Sequence, residues 1–114
     1  MSKPLFVLQG EIKTPPISKI ARIKIGYLFR QLQDGELLTM PDSRPMPIIG
    51  MNCHELRVDD GVQKTSWRVV YHIDNVAILV LVVFKKTSET TPESIKKLCK
   101  ERLHRYLTAM KGQK

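Results

Sequence analysis

The chain has 114 residues, 42% of them hydrophobic, enough for one domain with a real core and against both wholesale disorder and a second domain. Its 19 Lys and Arg against 11 Asp and Glu give a formal net charge of +8, a positive field that suits nucleic acid, an anionic membrane surface or an acidic protein. The apolar run in residues 1–10 is too short for a signal peptide, Val76 to Phe84 is half a membrane helix, and Cys53 and Cys99 belong to no metal-spaced cluster. A cytoplasmic protein is expected, one domain over residues 1–114, with free thiols and with neither metal nor cofactor.

Residues 4–9 (PLFVLQ) read as a short strand ended by Gly10, and Thr14-Pro15-Pro16 as a turn. From Ile17 to Asp34 the apolar residues Ala21, Ile25, Leu28 and Leu32 fall on one helical stripe, widened by Ile20 and Phe29. Gly35 sits where a C-cap glycine belongs, and Gly26 marks a point where the helix divides into a pair. Residues 39–51 (TMPDSRPMPIIGM) carry prolines and a glycine and are expected to be loop, without regular structure.

A sheet is expected next. Residues 52–59 alternate, with His54, Leu56 and Val58 on one side and Cys53, Glu55 and Arg57 on the other. After an Asp59-Asp60-Gly61 turn, residues 67–73 set Trp67, Val69, Tyr71 and Ile73 against Arg68, Val70 and His72. Asp74-Asn75 is a hairpin signal, and Val76–Phe84 is an apolar central strand. The last helix starts at Pro92 behind a Thr91 N-cap, with Ile95, Leu98, Cys99, Leu103, Tyr106, Leu107 and Met110 as its apolar stripe. The order β-α(α)-β-β-β-α gives an α+β domain: a small, mainly antiparallel sheet, an N-terminal helix or helix pair and a C-terminal helix, the helices packed on one side.

The chemistry that this pattern offers is cationic. There is no phosphate-binding glycine loop and no nucleophile elbow, and His54, His72 and His104 are dispersed. Arg57 and Arg68 lie on neighbouring strands opposite the main apolar phase, and Lys85-Lys86 follow the buried strand. With the strands adjacent, these four cations meet on the exposed face and strand end of one sheet. Such a cluster repels itself unless an anion completes it, and a phosphodiester fits. Taken singly, each has an ordinary reading: Arg57 paired with Glu55 or Asp59, Arg68 likewise, and Lys85-Lys86 a solvated strand end.

Metal-free RNA cleavage also needs a base and an acid. His72, near Arg68, is a histidine and so a candidate for either proton role, and Glu55, a candidate base, shares the face of Arg57. Their ordinary readings are a surface histidine and a salt-bridging glutamate. His54 and Tyr71 point with the core. Lys96, Lys97 and Lys100 on the last helix are candidate RNA contacts, or simply a solvated helix face. Arg68, taken as mid-strand on the exposed face, is expected to tolerate replacement by alanine without harm to the fold.

Several segments carry a resemblance: Lys3-Pro4-Leu5, Gly26-Tyr27-Leu28, Gln33-Asp34-Gly35-Glu36-Leu37, His54-Glu55-Leu56-Arg57, Trp67-Arg68-Val69-Val70-Tyr71, Phe84-Lys85-Lys86-Thr87 and Thr91-Pro92. In this order they resemble the phage-derived branch of the RelE/HigB toxin superfamily. The resemblance implies a RelE/ParE-like α+β fold and an mRNA endonuclease activity, ribosome-associated or free. It further implies a cognate antitoxin as partner, with no membrane and no small-molecule cofactor, and basic residues for the scissile phosphate at Arg57, Arg68 and Lys85-Lys86. The chain departs from some members, which place a catalytic tyrosine or histidine where it has Thr91-Pro92-Glu93, and from others with a lysine where Glu55 stands; the general base is unassigned. Poisons of DNA gyrase share the superfamily, so fold alone leaves the target open.

Overall fold

In a computed structural model, residues 3–7, 17–61, 64–87 and 89–112 are described. They form β1 (Leu5–Val7), α1 (Lys19–Gln33), β2 (Ser43–Pro45), β3 (Cys53–Asp60), β4 (Thr65–Ile73), β5 (Ile78–Lys85) and α2 (Glu93–Lys111). The sheet order is β1-β5-β4-β3-β2, with β1 parallel to β5 and the other neighbours antiparallel. This is the mainly antiparallel α+β arrangement that the sequence implies. The end of the expected first strand and the Thr14-Pro15-Pro16 turn lie outside the described residues.

Local chemistry sets the element ends. The Ser18 side chain accepts the Ala21 N–H at 3.1 Å and caps α1. Gly35, at φ +93°, takes the left-handed conformation that ends the helix. Gly26 does not divide it: α1 is one helix, held by Ala21, Leu28, Phe29 and Leu32 in the core. The Asp74 carboxylate accepts the N–H groups of Val76 and Ala77 at 2.8 and 2.9 Å, so β5 starts at Ile78, two residues later than its hydropathy suggests.

Three further expectations need correction. The proline-rich segment contains β2, which pairs Ser43, Arg44 and Pro45 with Leu56, Glu55 and His54. It is an edge strand, where a proline costs no central ladder bond. Second, α2 begins at Glu93, within two residues of Pro92 as expected, but its cap residue is Pro92 and not Thr91, with no side-chain cap. Third, the helices cover opposite faces. Leu56, Val58, Trp67, Val69 and Tyr71 pack with Ala21, Leu28, Phe29 and Leu32 of α1, whereas Cys53, Val70, Leu79 and Leu81 pack with Cys99 and Leu103 of α2. The strand alternation generates two apolar faces, and each needs a cover.

One irregularity sets the phase of the side chains near the end of β5. Tyr71 pairs with Val80 but Val70 with Val82, so β5 carries an extra residue, Leu81, at that step. Before the bulge, Ile78 and Val80 face α1 while Leu79 and Leu81 face α2. After it, Val83 packs towards α1, and Val82 and Phe84 towards α2. The alternation changes phase, and the last side chains of the strand change sides with it.

Candidate functional site

Arg57 and Arg68 are direct cross-strand partners, and a cross-strand pair shares one face. That face is the one under α2, and not an open one. A narrow cleft lies beside it, lined by Arg44, Glu55, Arg57, Arg68, Phe84, Lys86, Glu89, Thr90 and Thr91. Four cations thus meet two carboxylates. Lys86 reaches the cleft because the bulge puts Phe84 and the residue two beyond it on this side. Lys85 falls to the other side and lines a neighbouring groove with Lys64, Thr65, Ser66, Lys86, Thr87 and Glu89.

The floor of the cleft is Glu55. Its side chain is 3% exposed and receives Arg44 Nη2 at 3.3 Å, Arg68 Nε at 3.8 Å and the Thr91 hydroxyl at 3.1 Å. An enclosed carboxylate with three such partners holds other groups in place; it orients two arginines and ties β3 to the start of α2. Thr91, expected to cap α2, directs its hydroxyl to Glu55 instead. Glu89, by contrast, stands exposed at the rim of the cleft.

Arg68 is only 5% exposed, which corrects the expectation that it sits in the open. Its Nη1 donates to the Trp67 carbonyl at 3.0 Å and lies 3.7 Å from Asp59 Oδ1. Burial, then the Arg57 charge, pull its guanidinium below the ordinary arginine range, while Glu55 and Asp59 oppose them. An arginine so placed stays charged at neutral pH and is held in one orientation. Arg57 is half-buried and reaches the Met40 sulfur at 3.7 Å.

The remaining candidates are spread out. His72 shares the α2 face but pairs with Cys53, whereas Arg68 pairs with Arg57; four residues of strand set them about 13 Å apart. Its ring is engaged there, Nδ1 with the Met51 carbonyl at 3.0 Å and Nε2 with Asp74 at 3.5 Å. The structure therefore does not bring His72 to the cleft. Lys96 lies 2.9 Å from Glu93 and lines a second groove with Arg44, Thr90 and Thr91, whereas Lys97 and Lys100 are exposed on α2. His54 stacks on Tyr71 at 5.4 Å; burial, then the His72 charge, push its pKa down.

Sequence reasoning passes over Arg44, Phe84 and Glu89. Arg44 stands between prolines in β2, where no alternation of useful length shows. Phe84 reads as the end of an apolar run, and Glu89 follows a polar stretch with no signal of its own. Among the described residues, no group of three His, Cys, Asp or Glu side chains could hold a metal ion. No helix among them is long and apolar enough to cross a membrane.

Two comparisons bear on this geometry. No curated protein matches the chain. Residues 16–104, which include every residue of the cleft, match the family described as Phage derived protein Gp49-like (DUF891). With most of its length matched, the chain belongs to this Gp49-like phage-derived family, a toxin-like family of the RelE/HigB type.

Proposed function

We propose that the protein is the toxin of a type II toxin–antitoxin system and cleaves mRNA by a metal-independent reaction at the cationic cleft, in association with the ribosome. A cognate antitoxin protein neutralises it. The observation that carries this reading is the convergence of Arg44, Arg57, Arg68 and Lys86 on one cleft, with Glu55 buried beneath them. Preformed donors of this kind favour a phosphate whose charge grows in the transition state. In the proposed step the ribose 2′-oxygen forms a bond to the adjacent phosphorus as the bond from phosphorus to the 5′-oxygen breaks. Arg57 and Arg68 hold the non-bridging oxygens. The rim carboxylate Glu89 takes the 2′-hydroxyl proton, and Lys86 gives a proton to the leaving 5′-oxygen.

Purified protein offered RNA, with and without ribosomes and in EDTA, tests the proposal. Cleavage should leave a 2′,3′-cyclic phosphate and a 5′-hydroxyl. Arg57→Ala should slow it about a hundredfold, since removal of one preorganised donor raises the barrier by about 3 kcal/mol. Glu89→Gln should lower the rate, since the amide cannot take the 2′-hydroxyl proton. Toxicity on overexpression with no cleavage in either setting would overturn the nuclease reading. A poison acting on a protein such as DNA gyrase would then take its place.

A further inference from the structure

The groove that receives Lys85 has no part in the proposed cleavage step, yet it continues the cleft. It shares Lys86 and Glu89 with the cleft and adds Lys64 and Lys85. On the other side, the groove lined by Lys96 shares Arg44, Glu89, Thr90 and Thr91 with the cleft. The three depressions therefore form one track. It runs from Lys96 and the β2 edge, through the arginines, and over the end of β5 to Lys85 and Lys64.

Two features mark the Lys64 end as more than a solvated surface. Lys85 and Lys86 are neighbours in sequence and point to opposite sides of the sheet, as consecutive residues of an extended chain do, so cations line the track on both sides of the strand end. Lys64 holds φ at +53°, a left-handed conformation that a long side chain seldom adopts and that glycine would take without strain. At the end of the β3–β4 turn, its exposed side chain lines the groove together with Lys85 and Lys86.

We propose that the Lys64–Lys85 groove is a second phosphate subsite, which binds the backbone of a single-stranded RNA next to the scissile nucleotide. The ligand must be anionic along its length and must bend over a strand end. A flexible single strand does so, whereas a stiff duplex would touch one depression only. The inference rests on the cleft being the RNA site, and its test separates the two.

Uridine oligomers of two and of eight nucleotides, carrying a fluorophore and a 2′-deoxy block against cleavage, are titrated in EDTA over a range of salt. The unaltered protein is compared with the Lys64→Gln/Lys85→Gln double variant. Both lysines are exposed, and glutamine removes the charge while keeping a polar side chain, so the fold is little affected. For the octamer, the slope of log affinity against log salt should fall by about 1.4, two phosphates at about 0.7 each. For the dinucleotide it should hardly move. An unchanged octamer slope would overturn the second subsite while leaving the cleft as the RNA site. An equal loss for both lengths would overturn it too, because the lysines would then act as a diffuse field. If the unaltered protein binds neither oligomer, this inference falls, while the RNA reading of the cleft stands or falls on cleavage in the presence of ribosomes.

Discussion

Two polar clusters stand at opposite ends of the sheet face beneath α2, built on the same strands. At one end Asp74 accepts the Tyr106 hydroxyl at 2.9 Å and two backbone N–H groups, and lies 3.5 Å from His72 Nε2. Donors and acceptors match there, and the cluster ties α2 to the β4–β5 turn. At the other end Glu55 sits beneath Arg44 and Arg68, with Arg57 and Lys86 beside them. Positive charge exceeds negative, and the group opens to solvent. Burial is alike for His72 and Arg68, at 4% and 5% exposure. What separates the structural tie from the candidate site is the unmatched charge, since only the unmatched end gains from an external anion.

The comparison can be broken by substitution. The largest effect is expected for Arg68→Ala, which leaves Glu55 enclosed with less counter-charge. Removing one partner of a buried pair costs about 3 kcal/mol or more, a large share of the ~5–15 kcal/mol that holds a small domain together. Chemical denaturation should show this loss, so missing activity in that variant says little about chemistry. Arg57→Ala is the cleaner probe: it should abolish most cleavage while the denaturation midpoint shifts little, because Arg57 is half-buried and no ion pair is seen for it among the described residues.

His72→Ala should show the reverse, with cleavage retained and stability lowered by about 2 kcal/mol through the lost Met51 hydrogen bond and the contact with the Tyr106 ring at 6.0 Å. A large loss of cleavage rate in folded His72→Ala would undo the division between the two ends.

Smaller effects come from titration. Burial pushes the Asp74 carboxyl up, but hydrogen bonds from Ala77, Val76 and Tyr106 and the charge of His72 outweigh it and hold the pKa below 3.8. A depressed carboxyl stabilises the fold above its unfolded pKa and loses that contribution as pH falls through the folded value. Asp74→Asn, which keeps the turn acceptor, should therefore flatten stability below about pH 4 as read by acid titration.

The thiols titrate in the other direction. Burial pushes Cys53 up to about 11 and Cys99 up to about 12. Each thiol favours the fold below its unfolded pKa near 9 and loses that contribution as pH rises towards the folded value. At pH 8 both should react with a thiol reagent only as fast as the protein opens, and the cluster beneath α2 should loosen first in strong alkali.

The range over which each signal acts explains how much of the fold and the cleft was legible in the chain. Strand alternation over 52–59 and 67–73 placed Arg57 and Arg68 in one phase, and the period of α1 named its buried stripe, because both patterns are local and repeat every two or 3.6 residues. The excess of basic residues and the punctuation around Thr91-Pro92 are equally local. Tertiary structure alone decided the rest. Whether a face with an opposite-phase arginine is open or covered depends on where α2 returns, and α2 covers it. Arg44 joined the site only because β2 pairs with β3 beside Glu55. Lys86 took the cleft side in place of Lys85 because Leu81 is the extra residue of a bulge. An apolar run such as Ile78–Phe84 gives no sign of where its alternation slips, since every residue in it suits either face; packing against both helices at once fixes the phase.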